Sequence, residues 1–132
     1  MKLKEFNSEN CSGTTKRSIA PCISIDCKVG TFRINREACE LIGLKDGDQV
    51  KFLQDQEDTA DWYLEKAKSG GFALRAVPKT VGSLMFNNTP LSKKIAESVG
   101  FTGRSGRVLV AGRSTEFEKR KLYGILTGTL KN

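Results

Sequence analysis

The sequence predicts a mainly β fold of the α+β class: two short helices and a small closed β-barrel, built from two ββαββ repeats about a pseudo-twofold axis. Three observations lead there. Apolar residues alternate with polar ones in short runs punctuated by turn residues. Two short stretches show helical spacing between a capping residue and a glycine. The chain also carries its own pattern twice. Val29-Gly30-Thr31-Phe32-Arg33-Ile34-Asn35 recurs as Val81-Gly82-Ser83-Leu84-Met85-Phe86-Asn87 at an offset of 52, with side-chain chemistry kept at every position except Arg33 against Met85. Ile42-Gly43-Leu44 recurs as Val99-Gly100-Phe101 at an offset of 57, which places five extra residues around Asn88 to Ser92. Two copies are too few for a solenoid, so they are expected to complete one shared core.

In the first copy Ile23, Ile25 and Cys27 alternate with polar residues, Val29-Gly30 turns the chain, and Phe32 and Ile34 alternate again. This is a hairpin with one buried face. Asn35 is placed to cap a helix, Glu37 suits its first turn, and Ala38, Leu41 and Ile42 form an i, i+3, i+4 stripe that ends at Gly43. Asp46-Gly47 supplies a turn, Val50 and Phe52 alternate into a strand, and Trp62 and Leu64 open the return strand with their rings and methyls toward the core. In the second copy Phe72, Leu74 and Ala76 share a face, residues 78–82 turn, and Leu84 and Phe86 follow. Thr89 before Pro90 signals a helix start, Leu91, Ile95 and Val99 make its buried stripe, and Val108, Val110, Tyr123 and Ile125 belong to the closing strands. A four-stranded unit leaves two open edges, and closing one unit on the other removes most of them. Residues 1–18 read as a flexible N-terminal arm, and residues 19–132 as one barrel domain made of repeat one (19–68) and repeat two (69–132).

Positive charge is concentrated in the later part of the chain. The 132 residues carry 22 Lys and Arg against 15 Asp and Glu, a formal +7, and the segments 1–18, 19–68 and 69–132 hold +2, −3 and +8. A one-sided basic surface suits a polyanion, because neutralised phosphates release counterions; a solvated, solubilising surface is the plainer reading. His is absent, which excludes Ser-His-Asp and Cys-His catalysis and histidine-ligated metals. Cys11, Cys22, Cys27 and Cys39 include no C-x-x-C pair and read as reduced core thiols. Without a signal peptide or a transmembrane run, a cytoplasmic location away from membranes is expected. No nucleophile is paired with a base at recognisable spacing, so no enzymatic activity, cofactor or metal is expected.

The stretch Gly30-Thr31-Phe32-Arg33-Ile34-Asn35-Arg36-Glu37, continued by Leu41-Ile42-Gly43-Leu44-Lys45-Asp46-Gly47-Asp48-Gln49-Val50-Lys51-Phe52, resembles the AbrB/SpoVT family, to which MazE-like antitoxins are related. That family's subunit is ββαββ, and its swapped-hairpin dimer binds DNA. The resemblance implies a tandem duplication that is a covalent equivalent of the dimer, acting as a monomeric pseudo-dimer or assembling further as a homodimer. It also implies a DNA-binding regulator or antitoxin-like protein with a possible protein partner. Asn35 replaces the family's usual Pro, and Thr31, Ser83, Cys39 and Glu40 stand where DNA-binding members tend to be basic. The expected basic face therefore falls on the second copy: Lys79 in the turn, Lys93 and Lys94 on the helix, and Arg104, Arg107 and Arg113 around the Gly-rich turns. The alternative is a protein-interaction or structural module that keeps the barrel and does not bind DNA.

Two further segments have competing readings. Thr102-Gly103-Arg104-Ser105-Gly106-Arg107 is a basic Gly-rich loop without the Gly-Lys-Ser/Thr ending of a nucleotide loop, so it reads either as a turn whose arginines touch phosphates or as an ordinary solvated turn. Asp55, Glu57, Asp58 and Asp61 lack the Gly and Glu of a calcium loop and read as a solvated hairpin loop.

Overall fold

The computed structural model describes residues 20–78 and 80–130. The expected arm at 1–18 and Lys79 lie outside the described residues. Chain order is β1 (Cys22–Asp26), β2 (Thr31–Ile34), α1 (Arg36–Ile42), β3 (Gln49–Gln54), β4 (Trp62–Ala67), β5 (Phe72–Ala73), β6 (Arg75–Ala76), β7 (Leu84–Asn87), α2 (Thr89–Val99), β8 (Ser105–Phe117) and β9 (Arg120–Leu126), followed by a short 3-10 turn at Thr127–Thr129.

All nine strands belong to one antiparallel sheet, in the order β5-β3-β4-β9-β8-β1-β2-β7-β6. Its two end strands, β5 and β6, are consecutive in the chain with only Leu74 between them, so the sheet is nearly closed into a barrel. Residues 72–76 are therefore not the continuous strand that alternation predicts. The backbone groups of Leu74 turn instead to the loop before β3: its N–H donates to the Asp48 carbonyl at 2.8 Å and its carbonyl accepts from Gly47 N–H at 2.9 Å. The buried Leu74 side chain plugs the seam.

The barrel interior is filled by the residues that alternation assigns to it, among them Ile23, Ile25, Ile34, Val50, Leu64, Val108 and Tyr123. At its centre Phe32 stacks on Phe86 with centroids 4.7 Å apart, and Phe86 stacks on Phe72 at 4.9 Å. Phe52 meets this stack at steeper angles, with centroids 5.5 Å from Phe32 and 5.8 Å from Phe86. Four rings from four strands thus knit residues distant in sequence into one apolar cluster. Trp62 is buried as expected, and its indole N–H donates to Ser98 Oγ at 2.8 Å, tying β4 to the end of α2.

Both helices follow capping chemistry. Asn35 Oδ1 accepts from Ala38 N–H at 2.9 Å and also from Cys22 N–H at 3.0 Å, while its Nδ2 donates to the Ala20 carbonyl, so one side chain caps α1 and ties it to β1. In α2 the cap is Asn88, whose Oδ1 accepts from Leu91 N–H at 2.9 Å, and Thr89 is the first helical residue. The helices end at Gly43 and Gly100, and α1 and α2 run 7 and 11 residues.

The two Val-Gly turns have a reciprocal placement. Gly30 has φ 74°, and a Cβ there would stand 2.5 Å from the Thr89 backbone nitrogen, at the start of α2. Gly82 has φ 84°, and a Cβ there would stand 2.8 Å from Cγ of Arg36, at the start of α1. Each turn of one half of the chain is seated on the helix start of the other. Between them β2 and β7 pair with Phe32 opposite Phe86 and Arg33 opposite Met85.

Candidate nucleic-acid interface

In an antiparallel sheet, residues directly opposite one another point to the same face. Four pairings therefore define a transverse row on the outside of the barrel: Arg107 of β8 opposite Ser24 of β1, Ser24 opposite Arg33 of β2, Arg33 opposite Met85 of β7, and Met85 opposite Arg75 of β6. Phe32 and Ile34 point inward on either side of Arg33, as Leu84 and Phe86 do around Met85, and this alternation sets the row outward. Arg33, Arg75 and Arg107 are all exposed, and no carboxylate stands in the row. Neighbouring arginines are two strands apart, about 10 Å at ~4.8 Å per strand, so their long side chains can reach successive phosphates.

A shallow hollow of about 520 Å³ lies along this face, with Arg33, Arg107, Ser24, Thr31 and Ser105 among its lining. Its single acid, Asp26, already has partners. One carboxylate oxygen accepts from the backbone N–H groups of Lys28 and Val29, and the other lies 3.7 Å from Nε of Arg104. A face with three arginines, hydroxyl donors and a neutralised acid can hold a phosphate backbone by charge-assisted hydrogen bonds.

The sequence-predicted residues are distributed unequally around this row. Arg107 belongs to it. Arg104 precedes β8 and sits beside it through Asp26, its carbonyl accepting from Cys27 N–H at 2.7 Å. Lys93 and Lys94 are exposed on α2, one turn beyond Thr89, whose backbone abuts the β1–β2 turn at the end of the face. Arg113 is exposed six residues past Arg107, up to ~20 Å along the strand at ~3.3 Å per residue, beside the irregularity between Val110 and Ser114. Lys79 lies outside the described residues.

Arg33 and Arg75 were not among the predicted residues. A signal for Arg33 was present in the repeat itself: the one position at which the copies differ in chemistry, Arg33 against Met85, is the centre of the row. Arg75 follows from register alone, which no local pattern encodes.

The described cysteines are free thiols. Burial pushes Cys39 up to about 11, and burial also raises Cys22 against the opposing pull of the nearby Arg107 guanidinium. Cys27 is raised by burial and by Asp26. These thiols stay protonated near neutral pH and act as packing groups rather than nucleophiles. Among the described residues no group of three or more Cys, Asp or Glu is arranged to hold a metal ion, and no helix is long and apolar enough to cross a membrane. The acidic residues at 55–61 fold as a hairpin loop, with Asp55 Oδ1 accepting from the backbone of Glu57 and Asp58.

No protein-family model, curated protein or solved structure matches this chain.

Proposed function

We propose that this chain is a cytoplasmic DNA-binding protein of AbrB/SpoVT-like type, a transcriptional regulator or antitoxin-like protein. In this reading two ββαββ repeats, 19–68 and 69–132, share one barrel and take the place of that family's homodimer. The offset of 52 between the sequence copies is also the separation of Arg33 and Met85, which face each other across β2 and β7. Equivalent residues meeting across an antiparallel pair is what a twofold axis between the copies requires. The reciprocal seating of Gly30 on Thr89 and of Gly82 on Arg36 supports the same relation.

The observation that carries the DNA reading is the outward row of Arg33, Arg75 and Arg107. It draws on both repeats, so the interface is composite, with Arg104, Lys93 and Lys94 extending it at the β1–β2 end. Its contacts are mainly to phosphates, which position a protein on a duplex without reading sequence. With six cations engaged, log affinity for random duplex DNA falls against log salt with a slope near −5, at roughly 0.9 per phosphate.

A second reading, a protein-interaction module without DNA binding, is favoured by one observation. Leu53, Tyr63, Phe117 and Leu122 line an outer hollow of about 590 Å³, and Phe117 is 57% exposed. A titration of random duplex DNA at low salt separates the two. Salt-sensitive binding supports the first, and no binding by the folded chain leaves the second.

A further inference from the structure

The β3-β4-β9 arc, away from the arginine row, carries a second concentration of positive charge that DNA contact through that row does not use. A hollow of about 430 Å³ there is lined by Lys51, Lys66, Lys68, Lys119, Arg120 and Lys121, with Glu65 as its only carboxylate. These cations converge from β3, from the end of β4 and the residues after it, and from the β8–β9 turn and the start of β9.

The charges in this hollow fall into two groups. Glu65 is taken by Arg120, whose Nε and Nη2 donate to its two carboxylate oxygens at 2.7 Å each, and this fork holds the Glu65 carboxyl below its ordinary range. Lys66 donates to the Gly43 carbonyl at 2.9 Å and lies 3.5 Å from Asp48. Lys51 stands opposite Glu65 across β3 and β4, next to a carboxylate already occupied, and the Lys121 ammonium is 5.8 Å from the Tyr123 ring centroid. Lys68 and Lys119 form no ion pair among the described residues. Glu116 stands directly opposite Lys121 across β8 and β9 and offsets its charge, and Glu118 adds to the field at Arg120, although neither lines the hollow. The result is three ammonium groups, those of Lys51, Lys68 and Lys119, in excess around a concave surface.

The backbone also commits to this placement. Glu118 and Lys119 have φ of 51° and 65°, the left-handed region that a two-residue hairpin turn requires and that Asn-Gly fills without strain. This turn holds Glu118 and Lys119 side by side, and of the two only Lys119 lines the hollow. A concave, like-charged surface focuses its field on a multivalent counter-ion. Lysines act as point charges that suit phosphate oxygens, and the volume falls within the range of small-ligand sites rather than of an extended polymer. Each phosphate group carries roughly one to two negative charges, so about two to three phosphates balance three ammoniums.

We propose that this hollow binds a compact oligophosphate anion. The proposal is independent of the DNA reading, and calorimetric titration of the full chain with inorganic tripolyphosphate at low salt tests it. The expected result is saturable one-to-one binding, at least tenfold weaker in K68Q/K119Q and changed less than twofold in R33Q/R107Q. Amide shifts on titration are expected around residues 51, 65–69 and 119–123. Absence of saturable binding, equal affinity in K68Q/K119Q, or shifts confined to the arginine row would each overturn it. Competition by random duplex DNA for tripolyphosphate would overturn it too, since the hollow would then belong to a nucleic-acid surface.

Discussion

The two Val-Gly turns are alike in sequence and in backbone angle, yet the structure holds them differently. Gly30 is pressed against the Thr89 backbone, which cannot move without moving α2, and its carbonyl accepts from Asn88 N–H at 2.7 Å. Gly82 faces the aliphatic stem of Arg36, an exposed side chain that can swing aside. The caps differ in the same direction, because Asn35 bonds β1 and α1 together while Asn88 serves its own helix. Similar sequence signals therefore mark similar conformations but not similar energetic weight. That weight depends on what the rest of the fold brings against each turn.

The sharpest way to break this comparison is to add a methyl group at each turn. Gly30→Ala combines a left-handed strain with an immovable backbone neighbour and is expected to cost about 3 to 5 kcal/mol, whereas Gly82→Ala retains the strain alone at about 1 to 2 kcal/mol. Urea unfolding of the two variants measures the difference, and equal losses would mean that Thr89 yields as easily as Arg36. The caps give a smaller contrast of the same sign. Asn35→Ala is expected to lose about 2 kcal/mol, since it also strands the Cys22 N–H, against about 1 kcal/mol for Asn88→Ala, measured in the same way.

A third contrast concerns the position four residues after each cap, Cys39 in α1 and Ser92 in α2, both buried. The Ser92 hydroxyl donates to the Thr89 carbonyl and does not titrate in the accessible range, whereas burial sets the folded-state value of Cys39 near 11, above the ordinary thiol value of 9.0. A group raised on folding contributes its stability in full below the unfolded value and loses it as pH rises toward the folded one. The window is therefore pH 9 to 11, and up to about 3 kcal/mol is at stake. Stability of the native chain should fall more steeply across that window than stability of Cys39→Ala; parallel curves would place the titration elsewhere.

Much of the fold was legible because it is local. Period-two alternation identifies Phe32, Ile34, Leu64 and Val108 as core, and cap-to-glycine spacing finds both helices. The break at Leu74 was not legible, since it is caused by hydrogen bonds to Gly47 and Asp48, which the chain reaches only after folding. The start of α2 at Thr89 was legible from Thr89-Pro90, while its capping side chain, Asn88, was not, because only the geometry of Leu91 N–H singles it out. The candidate interface was the least legible part. Clustering of charge along the chain points to the second half, while the arginine row is assembled by register across β6, β7, β2, β1 and β8 and takes its central residue from the first half.

That composite row is the central claim, and its electrostatic footprint is directly measurable. Affinity for random duplex DNA would be followed across a salt series for the native chain, for R33Q/R75Q/R107Q and for K93Q/K94Q. Removing three phosphate contacts should flatten the slope by roughly 2.7, and removing the two α2 lysines should flatten it by no more than about 1.8, at roughly 0.9 per contact. A triple variant whose slope and affinity match the native chain, while K93Q/K94Q loses both, would contradict the arginine row and return the interface to the second half alone.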